Sequence, residues 1–279
     1  MSGTLYRLAA FTDDPSGGNP AGVWLGDALP EPAEMQRIAA EVGYSETAFI
    51  APAEGERRTV RYYSPEAEVS FCGHATVAGG VQMGRLSGAG SYMLDTAVGE
   101  VMVTVNQVEG EWQASLVSVT PEFRPAEPEL VEEVRELLGW QAEELDLEIP
   151  PARAYAGACH LVLACKERAR LERLEYDFEG LKALMLREGL TTLQLVWRES
   201  AERFHARDPF PVGGVVEDPA TGAAAAALGG YLRDAGLLQA PAQLIIVQGE
   251  TMGRPSRLQV DIPLSGGIVV TGQAVSLEA

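Results

Sequence analysis

The segment Glu217-Asp218-Pro219-Ala220-Thr221-Gly222-Ala223 runs into Ala224-Ala225-Ala226-Ala227-Leu228-Gly229-Gly230-Tyr231-Leu232. That is the length of a helix with almost no polar residue in its first three turns. A surface helix keeps a polar face, so a helix that is apolar all round has to be buried. The first turn of any helix leaves backbone N–H groups without helical partners, at the positive end of the dipole. Small residues at Gly222 and Ala223 would let a ligand come close to that backbone. The stretch therefore reads as a main-chain anion pocket at the mouth of a buried helix.

The pattern occurs twice. Arg61-Tyr62-Tyr63-Ser64-Pro65 leads through Glu68, Val69, Ser70 and Phe71 to Cys72-Gly73-His74-Ala75-Thr76, and a second small-residue helix follows over Val77–Leu86. In the later copy Phe204-His205-Ala206-Arg207 and Pro209-Phe210-Pro211 precede Glu217-Asp218-Pro219-Ala220-Thr221-Gly222. Both copies run arginine, aromatic, proline, acid, Gly-containing turn and buried helix. Roughly 145 residues separate them, about the length of one domain. The expectation is a duplicated architecture whose two helices direct their N-termini at a shared cleft.

Gly18-Asn19-Pro20-Ala21-Gly22, Ser45-Glu46-Thr47-Ala48-Phe49, Phe71-Cys72-Gly73-His74-Ala75-Thr76 and Glu217-Asp218-Pro219-Ala220-Thr221-Gly222 together resemble the phenazine-biosynthesis PhzF-like family. That family shares the fold of diaminopimelate epimerase. The resemblance implies an α+β fold of two pseudo-symmetric lobes, each a curled mixed β-sheet wrapped around a central buried helix. The lobes would cover residues 1–120 and 121–279, with the tail 265–279 able to cross back to the first.

The resemblance also implies a cofactor- and metal-independent isomerase that moves a proton between carbons of a small carboxylated metabolite. Carried over residue by residue, Glu46 is the general acid/base, and His74 and Asp218 are its catalytic partners and substrate orienters. Asn19, on the loop bordering the site, Thr221, and the backbone around Gly73, His74, Gly222 and Ala223 would hold the substrate. Homodimerisation is likewise implied by the family. One departure stands out: many relatives carry serine directly after the Thr-Gly pair, and this chain has Ala223. The main-chain donor survives and the hydroxyl is lost, a change on the order of 1 kcal/mol for one hydrogen bond. A role in phenazine synthesis does not follow.

The residues themselves leave other readings open. Glu46 lies among apolar and aromatic neighbours, and a carboxyl partly removed from water is poised to take and give a proton; an ordinary edge-strand glutamate is the alternative. His74 reads equally as a helix cap, Asp218 as a turn residue ahead of Pro219, and the Gly-Asn-Pro segment as a plain turn. A two-thiol amino-acid epimerase or racemase would need a cysteine in each copy. Cys72 fills one position, Asp218-Pro219-Ala220 offers none, and Cys159 and Cys165 lie outside the motif. Cys72 then reads as a small packed residue. A non-catalytic binder of small carboxylates is the third reading. His160 and His205 read as packing or hydrogen-bonding residues, and no Walker loop, dinucleotide fingerprint or metal-spaced His/Cys cluster is present.

Composition narrows the partners. Twenty-one Lys and Arg face 40 Asp and Glu in 279 residues, a net charge of −19. That balance disfavours nucleic acid and anionic membranes. No apolar run is long enough to span a bilayer, Met1-Ser2-Gly3-Thr4 passes straight into an apparent strand, and three unpaired cysteines suit a reduced, cytoplasmic protein.

Local patterning predicts strands at Thr4–Ala10, Val23–Leu25, Tyr44–Ile50, Ala154–Ala164, Thr192–Trp197 and Gly267–Val275, with a loop at Asp13–Pro20. A helix is expected over Pro32–Val42, stopped by Gly43, and others over Arg168–Leu174, Phe178–Arg187 and around Leu130–Leu138. Ser91–Val119 alternates as a hairpin turning at Glu109-Gly110, and Pro121–Pro128 reads as the linker.

Overall fold

The structure, a computed structural model, describes residues 2–53 and 57–277. Met1 and the last two residues of the expected tail lie outside them. Among the described residues 17 strands and six α-helices make a sheet-rich mixed α/β fold. The chain divides into two compact units, residues 1–117 with 271–279, and residues 118–270.

The first unit contains β1 (Gly3–Ala10), β2 (Asn19–Gly26), α1 (Pro32–Val42), β3 (Glu46–Pro52), β4 (Arg57–Tyr63), β5 (Glu68–Val69), α2 (Gly73–Ser87), β6 (Gly90–Thr96), β7 (Gly99–Val108) and β8 (Glu111–Val117). Strand β2 pairs antiparallel with β1 and parallel with β3, and β3 pairs antiparallel with β4. Glu46 is thus on an interior strand, which removes the edge-strand alternative. Asn19 and Pro20, expected in a loop, already belong to β2, in register with Ala10 and Ala9. Pairing with β1 places them in the ladder and outweighs the turn preference of the residue types.

Helix α1 has the expected bounds: Gly43 ends it at φ 71°, its N–H returning to the Ala39 carbonyl. Met35 and Ala39 of α1 pack with Trp24, Phe49 and Tyr63 on one side of the sheet. Helix α2 packs against β1, β2, β3, β7 and β8 and is buried from His74 to Gly84. Its glycines permit that approach. A Cβ at Gly80 would stand 2.8 Å from the Ala114 Cβ and 2.9 Å from a Val103 methyl.

The second unit contains β9 (Glu122–Pro125), α3 (Pro128–Leu138), β10 (Ala152–Tyr155), β11 (Cys159–Cys165), α4 (Arg168–Glu172), α5 (Phe178–Glu188), β12 (Thr192–Arg198), β13 (Arg203–Pro209), β14 (Glu217–Asp218), α6 (Gly222–Asp234), β15 (Ala242–Gln248) and β16 (Ser256–Ile262). The presumed linker is not a bare connection. Its middle forms β9, paired with β10, and its last residue opens α3. The single strand expected over Ala154–Ala164 is two strands turning between Tyr155 and Cys159, where Gly157 takes φ 109°.

Leu161, Leu163, Leu193 and Leu195 join Leu130, Val134, Leu181 and Leu184 of α3 and α5 in one core. With side chains alternating along a strand, His160, Val162, Thr192 and Gln194 turn to the opposite face. Helix α6 is buried from Ala224 to Leu232 and packs against β9, β10, β11 and β16.

The last strand, β17 (Val269–Ser276), continues from the second unit into the first. There it pairs antiparallel with β1, Ala10 opposite Ala274, and the Arg85 guanidinium donates to the Ala274 carbonyl at 2.6 Å.

Candidate functional site

Two clusters hold the residues singled out in the sequence, one in each unit. The first forms where β3 begins and α2 begins. A Cβ at Gly79 of α2 would lie 2.7 Å from the Ile50 side chain, so the Ile50 face of β3 is the one turned to that helix. Period two puts Ala48 and Glu46 on the same face. Thr47 and Phe49 point the other way, and Phe49 joins the α1 core. The α1–β3 turn thereby delivers the Glu46 carboxyl to the first turn of α2. Its Oε2 stands 3.5 Å from His74 Nε2; the Glu46 side chain keeps 19% exposure and His74 keeps 7%.

His74 is held from several sides. Asn19 Nδ2 lies 3.2 Å from Nδ1, Ser45 Oγ 3.4 Å from Nε2, and Cys72 Sγ 3.4 Å from Nδ1. With the Asn19 amide nitrogen donating to Nδ1, the ring proton sits on Nε2, toward Glu46. The structure thus brings Glu46, His74 and Asn19 together, as the sequence suggested. Ser45 and Cys72 are additions. Ser45 is legible as the neighbour of Glu46, whereas the sequence alone reads Cys72 as a small packed residue.

Behind them, Tyr62 Oη and Thr76 Oγ1 meet at 2.6 Å, and the Thr76 hydroxyl is 2.6 Å from the Cys72 carbonyl. These contacts fix the turn that enters α2. The Cys72 side chain makes no cap bond to the helix, whose first internal bond runs from the Thr76 N–H to the Cys72 carbonyl. The N–H groups of Gly73, His74 and Ala75 precede that bond. Among the described residues, nothing beyond Gly73's chain neighbours and the adjoining helix backbone lies within 4 Å of where a Gly73 side chain would begin.

The second cluster precedes α6. Thr221 Oγ1 donates to Asp218 Oδ2 at 2.6 Å. Buried Gln248 braces both: its Nε2 donates to the Asp218 carbonyl at 2.7 Å and to Thr221 Oγ1 at 3.0 Å, and its Oε1 accepts from the Thr221 N–H at 3.1 Å. A threonine hydroxyl has one proton, and here Asp218 receives it. Thr221 therefore orients Asp218 through its side chain. The Thr221 side chain makes no cap bond to α6 either; the helix's first internal bond runs from the Ala225 N–H to the Thr221 carbonyl, after Gly222 and Ala223. Glu217 of the same turn is paired with Arg207.

Asp208 was missed in the sequence. It sits opposite Asp218 across the β13–β14 pair and is fully buried. Burial drives its carboxyl well above the usual carboxylate range; the nearby Thr221 hydroxyl opposes the shift, and the Asp218 and Glu217 charges reinforce it. Among the described residues neither Asp208 oxygen has a hydrogen-bond partner, the Thr221 proton being given to Asp218. Gln248 could not have been found, because its role depends on the β15 register 30 residues away.

The remaining histidines behave as packing and hydrogen-bonding groups. His160 is fully buried 2.7 Å from Thr192 Oγ1, and burial brings its pKa down to about 3. His205 lies between Glu250 and Glu199, at 2.7 and 3.3 Å. All three cysteines are free thiols. Among the described residues no helix is long and apolar enough to cross a membrane.

A buried small-residue helix led by a Glu–His pair, within a sheet-rich α/β fold, defines a class that comparison with known proteins makes specific. Residues 8–279 match the family model described as "Phenazine biosynthesis-like protein", and the chain belongs to that PhzC-PhzF family. It is 30% identical to the uncharacterized isomerase YfhB of Bacillus subtilis over 98% of this chain and 96% of that protein. It is 33% identical to an uncharacterized isomerase of Deinococcus radiodurans over 93% of this chain and 87% of that one. The crystal structure of the Bacillus anthracis phenazine biosynthesis protein of the PhzF family superposes with a TM-score of 0.88 at 25% identity, covering 100% of this chain and 98% of that one. A probable proline racemase from Agrobacterium radiobacter shares the fold at a TM-score of 0.65 and 12% identity, over 99% of this chain and 91% of that one.

Proposed function

We propose that this protein is a PhzF-like isomerase in which Glu46 moves a proton between two carbons of a small carboxylated metabolite. The observation that supports this most is the Glu46–His74 contact at the uncapped start of α2. The carboxylate of Glu46 takes the proton from the carbon beside the substrate's activating group and returns it, as the carboxylic acid, to another carbon. His74, its Nε2–H directed at Glu46 and its Nδ1 held by Asn19, fixes the carboxyl rotamer and offers a proton to charge that builds on the substrate. The N–H groups of Gly73, His74 and Ala75 would receive the substrate carboxylate, because partnerless amides at a helix N-terminus favour an anion.

Asp218, oriented by Thr221 and Gln248, belongs to this reading as a second substrate-orienting group, with the Gly222 and Ala223 N–H groups beside it. With Ala223 in the serine position, substrates that depend on that hydroxyl are disfavoured. The pseudo-symmetric lobes, homodimerisation and cytoplasmic location expected from the resemblance are part of the same proposal. Relatives named isomerases support the reaction class.

The test incubates pooled amino and hydroxy acids with the protein in heavy water and reads solvent deuterium at carbon by mass spectrometry. Exchange lost in Glu46→Gln and kept in Cys72→Ala supports the one-carboxylate isomerase. Exchange that follows Cys72 instead points to a thiol epimerase. Tight binding without exchange points to a carboxylate-binding protein, and either result overturns the proposal.

A further inference from the structure

We infer that Glu46, Cys72 and His74 form a zinc-binding site, and that the ion, when bound, silences the acid/base glutamate. One ligand atom from each lies within 4.8 Å of the other two. Two of the three separations are close to those of a tetrahedron around zinc. With Zn–N and Zn–O near 2.1 Å and Zn–S near 2.3 Å, neighbouring ligand atoms stand roughly 3.4 Å apart for N and O, and roughly 3.6 Å for N and S. His74 Nε2 is 3.5 Å from Glu46 Oε2 and 3.8 Å from Cys72 Sγ. The remaining pair, Glu46 carboxylate and Cys72 Sγ, lies within 4.8 Å, so side-chain movements of up to about 1 Å complete the geometry.

The spacing alone hides this site, since Glu46 comes from β3 and the other two ligands from the start of α2. Cys72 occupies the N-cap, at the positive end of the helix dipole, where a negative sulfur is favoured. Binding releases the Cys72 thiol proton to solvent, so the ion takes a thiolate, a neutral imidazole and a carboxylate. Two positive and two negative charges then cancel, which a partly buried site tolerates. Metal binding requires the Asn19 amide to turn over from the placement that sets Nδ2 3.2 Å from Nδ1; with Oδ1 facing the ring it accepts the Nδ1 proton and leaves the Nε2 lone pair for the metal. Three protein ligands leave one position for water. A thiolate with an imidazole selects zinc over magnesium or calcium, which prefer oxygen alone.

The metal and the proposed proton transfer compete for the same atoms. Coordination to zinc makes the Glu46 carboxylate a much weaker base toward carbon and fixes it on the metal, and the His74 Nε2 proton is displaced. Only this consequence rests on the isomerase reading; metal binding does not.

Cobalt(II), a spectroscopic stand-in for zinc, tests the site in the intact protein under reducing conditions. Titration is expected to give a thiolate-to-cobalt charge-transfer band that saturates at one ion per chain and is bleached by stoichiometric zinc. Cys72→Ala should abolish the band while Cys159→Ser keeps it. Glu46→Gln and His74→Ala should weaken binding on the order of 10- to 100-fold, with circular dichroism confirming that each variant is folded. No band with the wild type, or a band that survives Cys72→Ala, overturns the site. A saturating ion that leaves deuterium exchange by the wild type unchanged overturns the silencing, and exchange that requires the ion reverses it. Absence of exchange under every condition bears on the isomerase reading and leaves the cobalt result standing.

Discussion

Gly73 and Gly80 lie two turns apart on α2, yet adding one methyl to each should have opposite consequences. At Gly80 the new Cβ meets the Ala114 and Val103 side chains below 3.0 Å. Overpacking of that kind costs about 1–3 kcal/mol, more than alanine's helical preference of about 1 kcal/mol returns. Gly80→Ala is therefore expected to lower the urea midpoint at unchanged slope. At Gly73 the methyl enters open space, so Gly73→Ala should be neutral or stabilising by up to about 1 kcal/mol. Its methyl projects beside the partnerless N–H groups, so substrate KM should rise all the same. A Gly73→Ala protein with unchanged KM would remove those amides from the substrate site. The contrast also shows what a sequence can say of such residues: small residues at helical spacing announced a crowded helix, but nothing distinguished the glycine that packs from the one that faces open space.

At the scale of elements, the turn entering α6 is a brace. Gln248 on β15 holds Asp218 and Thr221 through side-chain bonds of 2.7–3.1 Å. Thr221→Val deletes the 2.6 Å bond to Asp218 and leaves the Gln248 amide hydrogen short of an acceptor. Leaving a buried donor unsatisfied costs about 1–3 kcal/mol. If Asp218 orients substrate, Thr221→Val should also lower kcat/KM, and Thr221→Ser, which keeps the hydroxyl, should recover it. A loss that Thr221→Ser does not recover would assign the effect to packing alone.

Elements with a clear period were legible in the sequence: α1 with its Gly43 stop, the Glu109-Gly110 hairpin, α3 and α5. Segments whose structure depends on a distant partner were not. Pro121–Pro128 looks like a linker until β10 supplies a strand beside it. Strands β15 and β16, which form an antiparallel pair over seven residues, carried no signal strong enough to name. The candidate site follows the same division. Glu46, His74, Asn19 and Asp218 stood out in short motifs, whereas Cys72 as a ligand, Gln248 and Asp208 acquire meaning only through contacts that strand register creates.

For the whole molecule, two buried ionisable groups of the second unit set opposing pH dependences. His160 has its pKa brought from 6.5 to about 3 by burial. Above pH 6.5 both folded and unfolded chains hold it neutral; as pH falls from 6.5 toward 3 the unfolded chain takes up a proton that the folded one refuses, so stability drains away. Asp208 runs the other way. Its pKa is raised above 3.8, so its contribution is most favourable below that value and is lost as pH rises toward the folded pKa. Urea midpoints measured between about pH 7 and pH 4 should fall less steeply with acid in His160→Gln than in the wild type. In Asp208→Asn the stability relative to wild type should improve as pH rises. Parallel curves for all three proteins would contradict both assignments. The net charge of −19 adds a general repulsion, which both substitutions leave nearly unchanged and the comparison removes.

The central claim is that one carboxylate, Glu46, exchanges a proton with carbon. Its most direct test is the rate at which solvent deuterium enters a carbon position of a substrate, for wild type and Glu46→Gln at equal concentrations of folded protein. Removing a positioned general acid/base should slow incorporation by about 10²–10⁴-fold. Equal rates in the two proteins would contradict the claim and leave the carboxyl at the start of α2 without a catalytic role.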